Sequence, residues 1–228
     1  MVTRVLRSVV LTIGLLLVAG VAPAVVASPD RIDAIPRVEL GAPVRLNQGY
    51  FRSLMRKLWE DHITYTRLFI VSAATLPTTL PDTDLTVARL LKNQVDLGNA
   101  VKRFYGTAAG NQLTALLKVH IETAAELVLA AKAGDTTKAN DASARWYANA
   151  NDIAAFLHNA NPDNWPLADL RAMMKDHLDH TLMEAVARIE GRYADDIAAY
   201  DMVHAQILRM ADTLTIGIIR QFPDQFLR

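Results

Sequence analysis

From Gln48 to Gln221 apolar residues recur at helical spacing almost without interruption, and this pattern constrains the fold more than any other feature. No stretch alternates apolar and polar residues as a half-buried strand does. Breakers then divide the pattern into helices. A first helix is expected from about Gln48 to Leu76, ended by Pro77 and Pro81. A second starts at Asp82 or Thr83, both good N-caps, and ends at Gly106. A third covers about Thr107 to Lys132, with Gly134 as its stop. A fourth runs from Asp135 or Thr136 to about Asn159, before the turn Asn161-Pro162-Asp163-Asn164-Trp165-Pro166. The fifth spans about Leu167 to Glu190, and the sixth about Tyr193 to Gln221, ahead of Pro223. Short connections favour antiparallel neighbours. The expected fold is all-α, an up-and-down bundle of about six long antiparallel helices over residues 47–228.

The segment before the bundle reads differently. Arg4 and Arg7 precede an apolar run from Val9 to Val21, and small residues follow in Ala22-Pro23-Ala24 and Val26-Ala27-Ser28. This order predicts a cleaved secretory signal peptide over residues 1–27, an uncleaved anchor being the other reading. The run is short for a spanning helix, which needs about 20 apolar residues. Residues 28–46, with Pro29, Pro36 and Pro43, read as an extended N-terminal arm. The chain is therefore expected outside the cytoplasm, secreted or in the cell envelope, with no transmembrane domain once the signal is removed. It has no cysteine, so neither a lipid-bearing cysteine nor a disulfide contributes, and stability must come from burial. Lysine plus arginine and aspartate plus glutamate each number 24, with no basic stripe, which argues against a nucleic-acid partner or an anionic membrane surface.

Inside the apolar stripes sit histidines. His62 shares a face with Phe51, Met55, Leu58, Tyr65 and Phe69, and His120 with Leu113, Leu116, Leu117, Ala124 and Leu127. His177 falls in the row Leu170, Met174, Thr181, Glu184, and His204 in the row Ile197, Ile207, Leu208, Ala211. Each lies about 10–15 residues into its helix, roughly 15–22 Å along the axis. In an up-and-down bundle these depths coincide. Asp96, with Asn93, and Asn149 stand at similar depth on the intervening helices.

Bundle cores build metal sites from inward side chains on several helices, and neutral imidazole is the commonest metal ligand. His62, His120, His177 and His204 are thus candidate ligands, supported by Asp96 and Glu184. Glu184 lies four residues after His180 and Asp201 three before His204, spacings that let a carboxylate orient a ring. Zn, Cu, Ni and Fe all suit imidazole-rich sites, and non-covalent haem between facing histidines is a weaker reading. The same layer serves equally as a hydrogen-bond network without a metal. Glu-x-x-His repeats, His-Glu-x-x-His and Cys-x-x-Cys-His are all lacking. Met173, Met174, Met183, Met202 and Met210 read as core filler, and Trp59, Trp146 and Trp165 as packing anchors. His180 reads as a second-choice ligand and His158 as exposed.

Trp59-Glu60-Asp61-His62 followed by Thr66-Arg67 resembles a motif in a group of uncharacterised bacterial helical proteins. The same holds for Leu91-Lys92-Asn93-Gln94-Val95-Asp96-Leu97-Gly98-Asn99 and Phe104-Tyr105-Gly106. Trp146-Tyr147-Ala148-Asn149-Ala150-Asn151 and Gly217-Ile218-Ile219-Arg220-Gln221-Phe222-Pro223 extend the resemblance, which covers about Leu58 to Phe226. Members sometimes carry enzyme names such as glycosyltransferase, for which this chain has no motif. The resemblance implies the helical fold; the signal and arm stand outside it.

Two functional expectations follow. One is an exported bundle binding a metal ion or small cofactor at the histidine layer. The alternative is a non-enzymatic structural or interaction protein, with a protein partner, whose buried His/Asn/Asp layer is a hydrogen-bond network. A hydrolase or transferase with a histidine base is a third reading, which lacks a recognisable nucleophile or phosphate loop.

Overall fold

The computed structural model describes residues 44–75 and 78–227. The expected signal peptide and nearly all of the arm lie outside the described residues. The described residues are all-α apart from one pair of two-residue strands. In order come β1 (Leu46–Asn47), α1 (Gln48–Ala74), α2 (Thr83–Lys132), α3 (Thr136–Ala160), α4 (Leu167–Ile189), α5 (Tyr193–Gln221), a 3₁₀ turn (Pro223–Gln225) and β2 (Phe226–Leu227). Each helix packs on the next in sequence, and α5 closes against α1.

Among the described residues five helices are counted, with the break expected at Gly106 falling inside α2. The two segments expected on either side of Gly106 join in α2, whose course breaks there: Gly106 has φ 82° and ψ 167°, outside helical values. A left-handed φ of this kind suits glycine, which has no Cβ to clash. The halves fold back on each other. A Cβ on Gly98 would lie 2.5 Å from the carbonyl oxygen of Gly110 and 1.9 Å from Thr114 Oγ1. In an unbroken helix residues 98 and 114 would be about 24 Å apart.

Local chemistry fixes the other ends. Asn47 caps α1 by accepting from the Tyr50 amide at 2.9 Å, and Asp135 caps α3 by accepting from the Lys138 amide at 3.0 Å. Beside the β1–β2 pair, Phe51, Phe104 and Phe226 meet with ring centroids 5.1–5.4 Å apart. Each such buried ring contributes about 1.5–3 kcal/mol. β1 and β2 pair in parallel there, Leu46 opposite Phe226, so the aromatic cluster ties the C-terminal tail to the start of α1. A smaller cluster of Phe69, Ile70, Ala73, Val128 and Ala185 packs separately from this main core. Among the described residues no helix is long and apolar enough to cross a membrane.

Candidate functional site

His62 on α1, His120 on α2 and His177 on α4 converge in the bundle interior, each no more than 4 % exposed. Ring centroids are 5.8 Å apart for His62 and His177, and 6.3 Å for His120 and His177. Their helices bring them together because each ring occupies the buried stripe: Met55, Trp59 and Ile63 flank His62, Leu117 and Ile121 flank His120, and Met174 and Thr181 flank His177.

Hydrogen bonding fixes the protonation of two rings. Gln94 Nε2 donates to the Leu90 carbonyl at 2.8 Å and to Asn93 Oδ1 at 3.1 Å, which leaves Gln94 Oε1 facing His62 Nδ1 at 3.2 Å. An amide oxygen only accepts, so His62 carries its proton on Nδ1. Asn93 in turn donates to the Leu58 carbonyl at 3.0 Å. At His120 the indole N–H of Trp146 donates to Nε2 at 3.2 Å, and Nδ1 lies 3.0 Å from Asn149 Oδ1. Indole can only donate, so this ring too is the Nδ1–H tautomer, with both nitrogens satisfied. Asn149 completes its bonding by donating to the Leu116 carbonyl at 3.2 Å.

His177 is less complete. Its Nδ1 and the side-chain oxygen of Gln206 are both buried without a hydrogen-bond partner among the described residues. Gln206 stands beside His177 and favours its charged form, while its Nε2 donates to the Met173 carbonyl at 3.0 Å. The two orphaned atoms are thus a matched donor and acceptor. Burial, and then a neighbouring imidazole, lowers all three histidines to about 3 from the ordinary 6.5. The rings are neutral at neutral pH.

The three imidazoles wall one part of a largely enclosed cavity of about 30 Å³. That volume holds one or two waters, at roughly 10–15 Å³ each. Its other walls are apolar and include the thioethers of Met55, Met174 and Met210 beside Trp59, Leu97, Leu117 and Ile218. Among the described residues no carboxylate lines it. The indole N–H of Trp59 is buried without a partner among the described residues.

The remaining expected ligands lie elsewhere. His204 is about one-third exposed and pairs with Glu60 at 2.9 Å. The inward face of α5 is set by Ala199, Val203, Ile207 and Met210, whereas Ile197, which the sequence reading put in the core, is 56 % exposed. His204 follows Val203 by about 100° of helix rotation and so leaves the interior. Asp96 is half-buried at the edge of α2, beside the inward Asn93, Gln94 and Leu97, and makes no hydrogen bond or ion pair among the described residues. Glu184 does face inward, but two turns beyond His177, and joins a second polar cluster. There it accepts from Arg67 at 2.9 Å, while Asp196, fully buried, pairs with Arg67 and lies 3.4 Å from Arg188. Burial outweighs the Arg67 charge and pushes the Glu184 carboxyl up to about 7. Among the described residues no three His, Cys, Asp or Glu side chains are grouped to hold a metal ion. His180 stands 3.7 Å from Asp176, and His158, rather than being exposed, is partly buried and donates to the Trp165 carbonyl at 2.8 Å.

Sequence reasoning missed Gln94, Gln206, Trp146, Arg67 and Asp196. Gln206 had a readable signal: it interrupts the apolar row Val203, Ile207, Met210. The Arg67–Asp196 pair had none, because 129 residues separate its members. No family model matches the chain, and no curated protein and no solved structure matches it.

Proposed function

We propose that this is an exported, non-enzymatic helical-bundle protein whose buried imidazole–amide layer sets the register of its helices and leaves binding of a protein partner to its surface. Consecutive helices run antiparallel, with the two halves of α2 counted separately. One observation carries the reading: each layer histidine meets a polar side chain on the element that follows it. His62 of α1 bonds Gln94 of α2, His120 of α2 bonds Asn149 and Trp146 of α3, and His177 of α4 stands beside Gln206 of α5. Such bonds form only in one register, and a slipped helix would bury unpaired polar atoms at about 1–3 kcal/mol each.

Two facts weigh against catalysis by these rings. They are closed off from bulk solvent, and groups titrating near 3 are poor proton acceptors at neutral pH. An exposed apolar strip on α4 and α5, with Met183 51 % and Met202 39 % exposed, supports an interaction role. Nitrogen-15 spectra of the imidazole rings at pH 7 test the layer. Three neutral rings protonated at Nδ1 are expected; a charged ring, or an Nε2–H form of His120, would count against the proposal.

A further inference from the structure

The layer holds more nitrogen than its network consumes. Among the described residues neither His62 nor His177 has a hydrogen-bond partner at Nε2, although both rings line the cavity. His62 is held from its far side by Gln94 Oε1, and Gln206 Oε1 offers the same hold to His177. An imidazole whose N–H is anchored to a carbonyl and whose other nitrogen is free has the arrangement seen in metal-ligating histidines. His120 is different, because Trp146 occupies its Nε2.

The spacing of the two rings fits an ion between them. With bonds of about 2 Å, two rings on one metal have centroids roughly 5.2 Å apart at a tetrahedral angle and 6.3 Å apart when collinear. The observed 5.8 Å lies between these limits. Met174 adds a third donor. It precedes His177 by three residues on the same face of α4 and lines the same cavity.

The surroundings select the ion. Every donor is neutral and no carboxylate among the described residues lines the cavity, so the full charge of the ion would be buried. Desolvation cost rises with the square of charge, making a divalent ion about four times as costly as a monovalent one. Thioether sulfur and low coordination favour soft copper(I) over zinc(II), which takes four ligands. We propose that His62, His177 and Met174 bind one soft monovalent metal ion, copper(I), in the interior of the bundle. This inference rests on the Nδ1–H tautomers of the network described above.

The test is an anaerobic titration of tag-free protein with copper(I) against the chromogenic chelator bicinchoninate. The protein is expected to withdraw one equivalent. His177→Gln and the volume-conserving Met174→Leu should each weaken binding by at least about tenfold, whereas His204→Gln at the surface should bind as the wild type does. Silver(I), an air-stable stand-in, should shift the Nε2 resonances of His62 and His177 in wild-type protein and leave those of His120 in place. Because that spectrum is taken before and after silver, failure of the tautomers and failure of metal binding are seen separately. The proposal is overturned if wild-type protein takes no copper(I) from the chelator, or if folded His177→Gln and Met174→Leu both retain wild-type affinity. Unmoved Nε2 resonances, or tighter one-to-one binding of zinc(II) at the same nitrogens, would overturn it as well.

Discussion

Acid should unfold this bundle in a way set by four buried groups. In the folded chain His62, His120 and His177 titrate at about 3, against an ordinary 6.5, so each takes up a proton on unfolding between those values. Stability contributed by these neutral rings is complete above pH 6.5 and declines as pH falls. Glu184 acts in the opposite sense. Its folded value of about 7 exceeds the ordinary 4.5, so the folded chain holds one extra proton between them. Three protons gained less one lost leaves two taken up on unfolding from pH 6.5 to 4.5. At about 1.4 kcal/mol per proton per pH unit, that interval costs roughly 5 kcal/mol. Below pH 4.5 Glu184 no longer compensates, and the slope steepens to about 4 kcal/mol per unit. Asp212 and Asp179, held below the ordinary carboxylate value by Arg52 and Lys175, add to the loss at lower pH. Domains are typically stable by about 5–15 kcal/mol; at the lower end acid unfolding falls at pH ~4.6, and a stability of about 10 kcal/mol moves it to pH ~3.5. Urea unfolding followed by circular dichroism at half-unit steps of pH gives the slope directly. His177→Leu should lower it by one proton, about 1.4 kcal/mol per unit. A stability that stays flat or rises from pH 6.5 to 5 would refute the assignment of three buried neutral histidines.

Other perturbations test separate parts of the structure. Arg67→Met strands Glu184 and Asp196 in the interior and should cost about 3–5 kcal/mol at pH 8, read from urea midpoints. A loss below about 1 kcal/mol there, the range of exposed pairs, would show the cluster to be solvated. Gly98→Ala forces a methyl group to within 2.5 Å of the Gly110 carbonyl, so the two halves of α2 must separate. A cost of about 1–3 kcal/mol or more is expected by thermal melting, and an unchanged melting temperature would contradict the close approach. Asp212→Asn breaks the exposed contacts to Arg52 and Arg56 and should change stability by no more than about 1 kcal/mol.

The all-α class was legible because apolar spacing and breakers agree along the whole chain. Gly106 was recognisable as an interruption, and the backbone does leave helical values there, at φ 82° and ψ 167°. Three of the four histidines expected inside were placed correctly because their rows contain residues that are indeed buried, such as Met55, Leu117 and Met174. His204 was misplaced because the row chosen for α5 started from Ile197, and an isoleucine on a helix carries no mark of which side faces solvent. Glu184 lay on the correct face, and its depth depended on a partner, Arg67, that only packing brings near. The hydrogen-bond roles of Gln94, Trp146 and Gln206 likewise depend on neighbouring helices, which no local spacing encodes.

The most direct test of the register-setting layer is a double-mutant cycle on His120 and Asn149, using His120→Phe, Asn149→Leu and the double variant in urea unfolding at pH 7. Each single variant leaves a buried polar partner unpaired, at about 1–3 kcal/mol, and the double variant removes both partners. A coupling energy of at least about 1 kcal/mol is predicted, with the double variant more stable than the two separate losses imply. Strictly additive losses would mean that the two side chains do not act together, and the proposed register-setting role of the layer would be wrong.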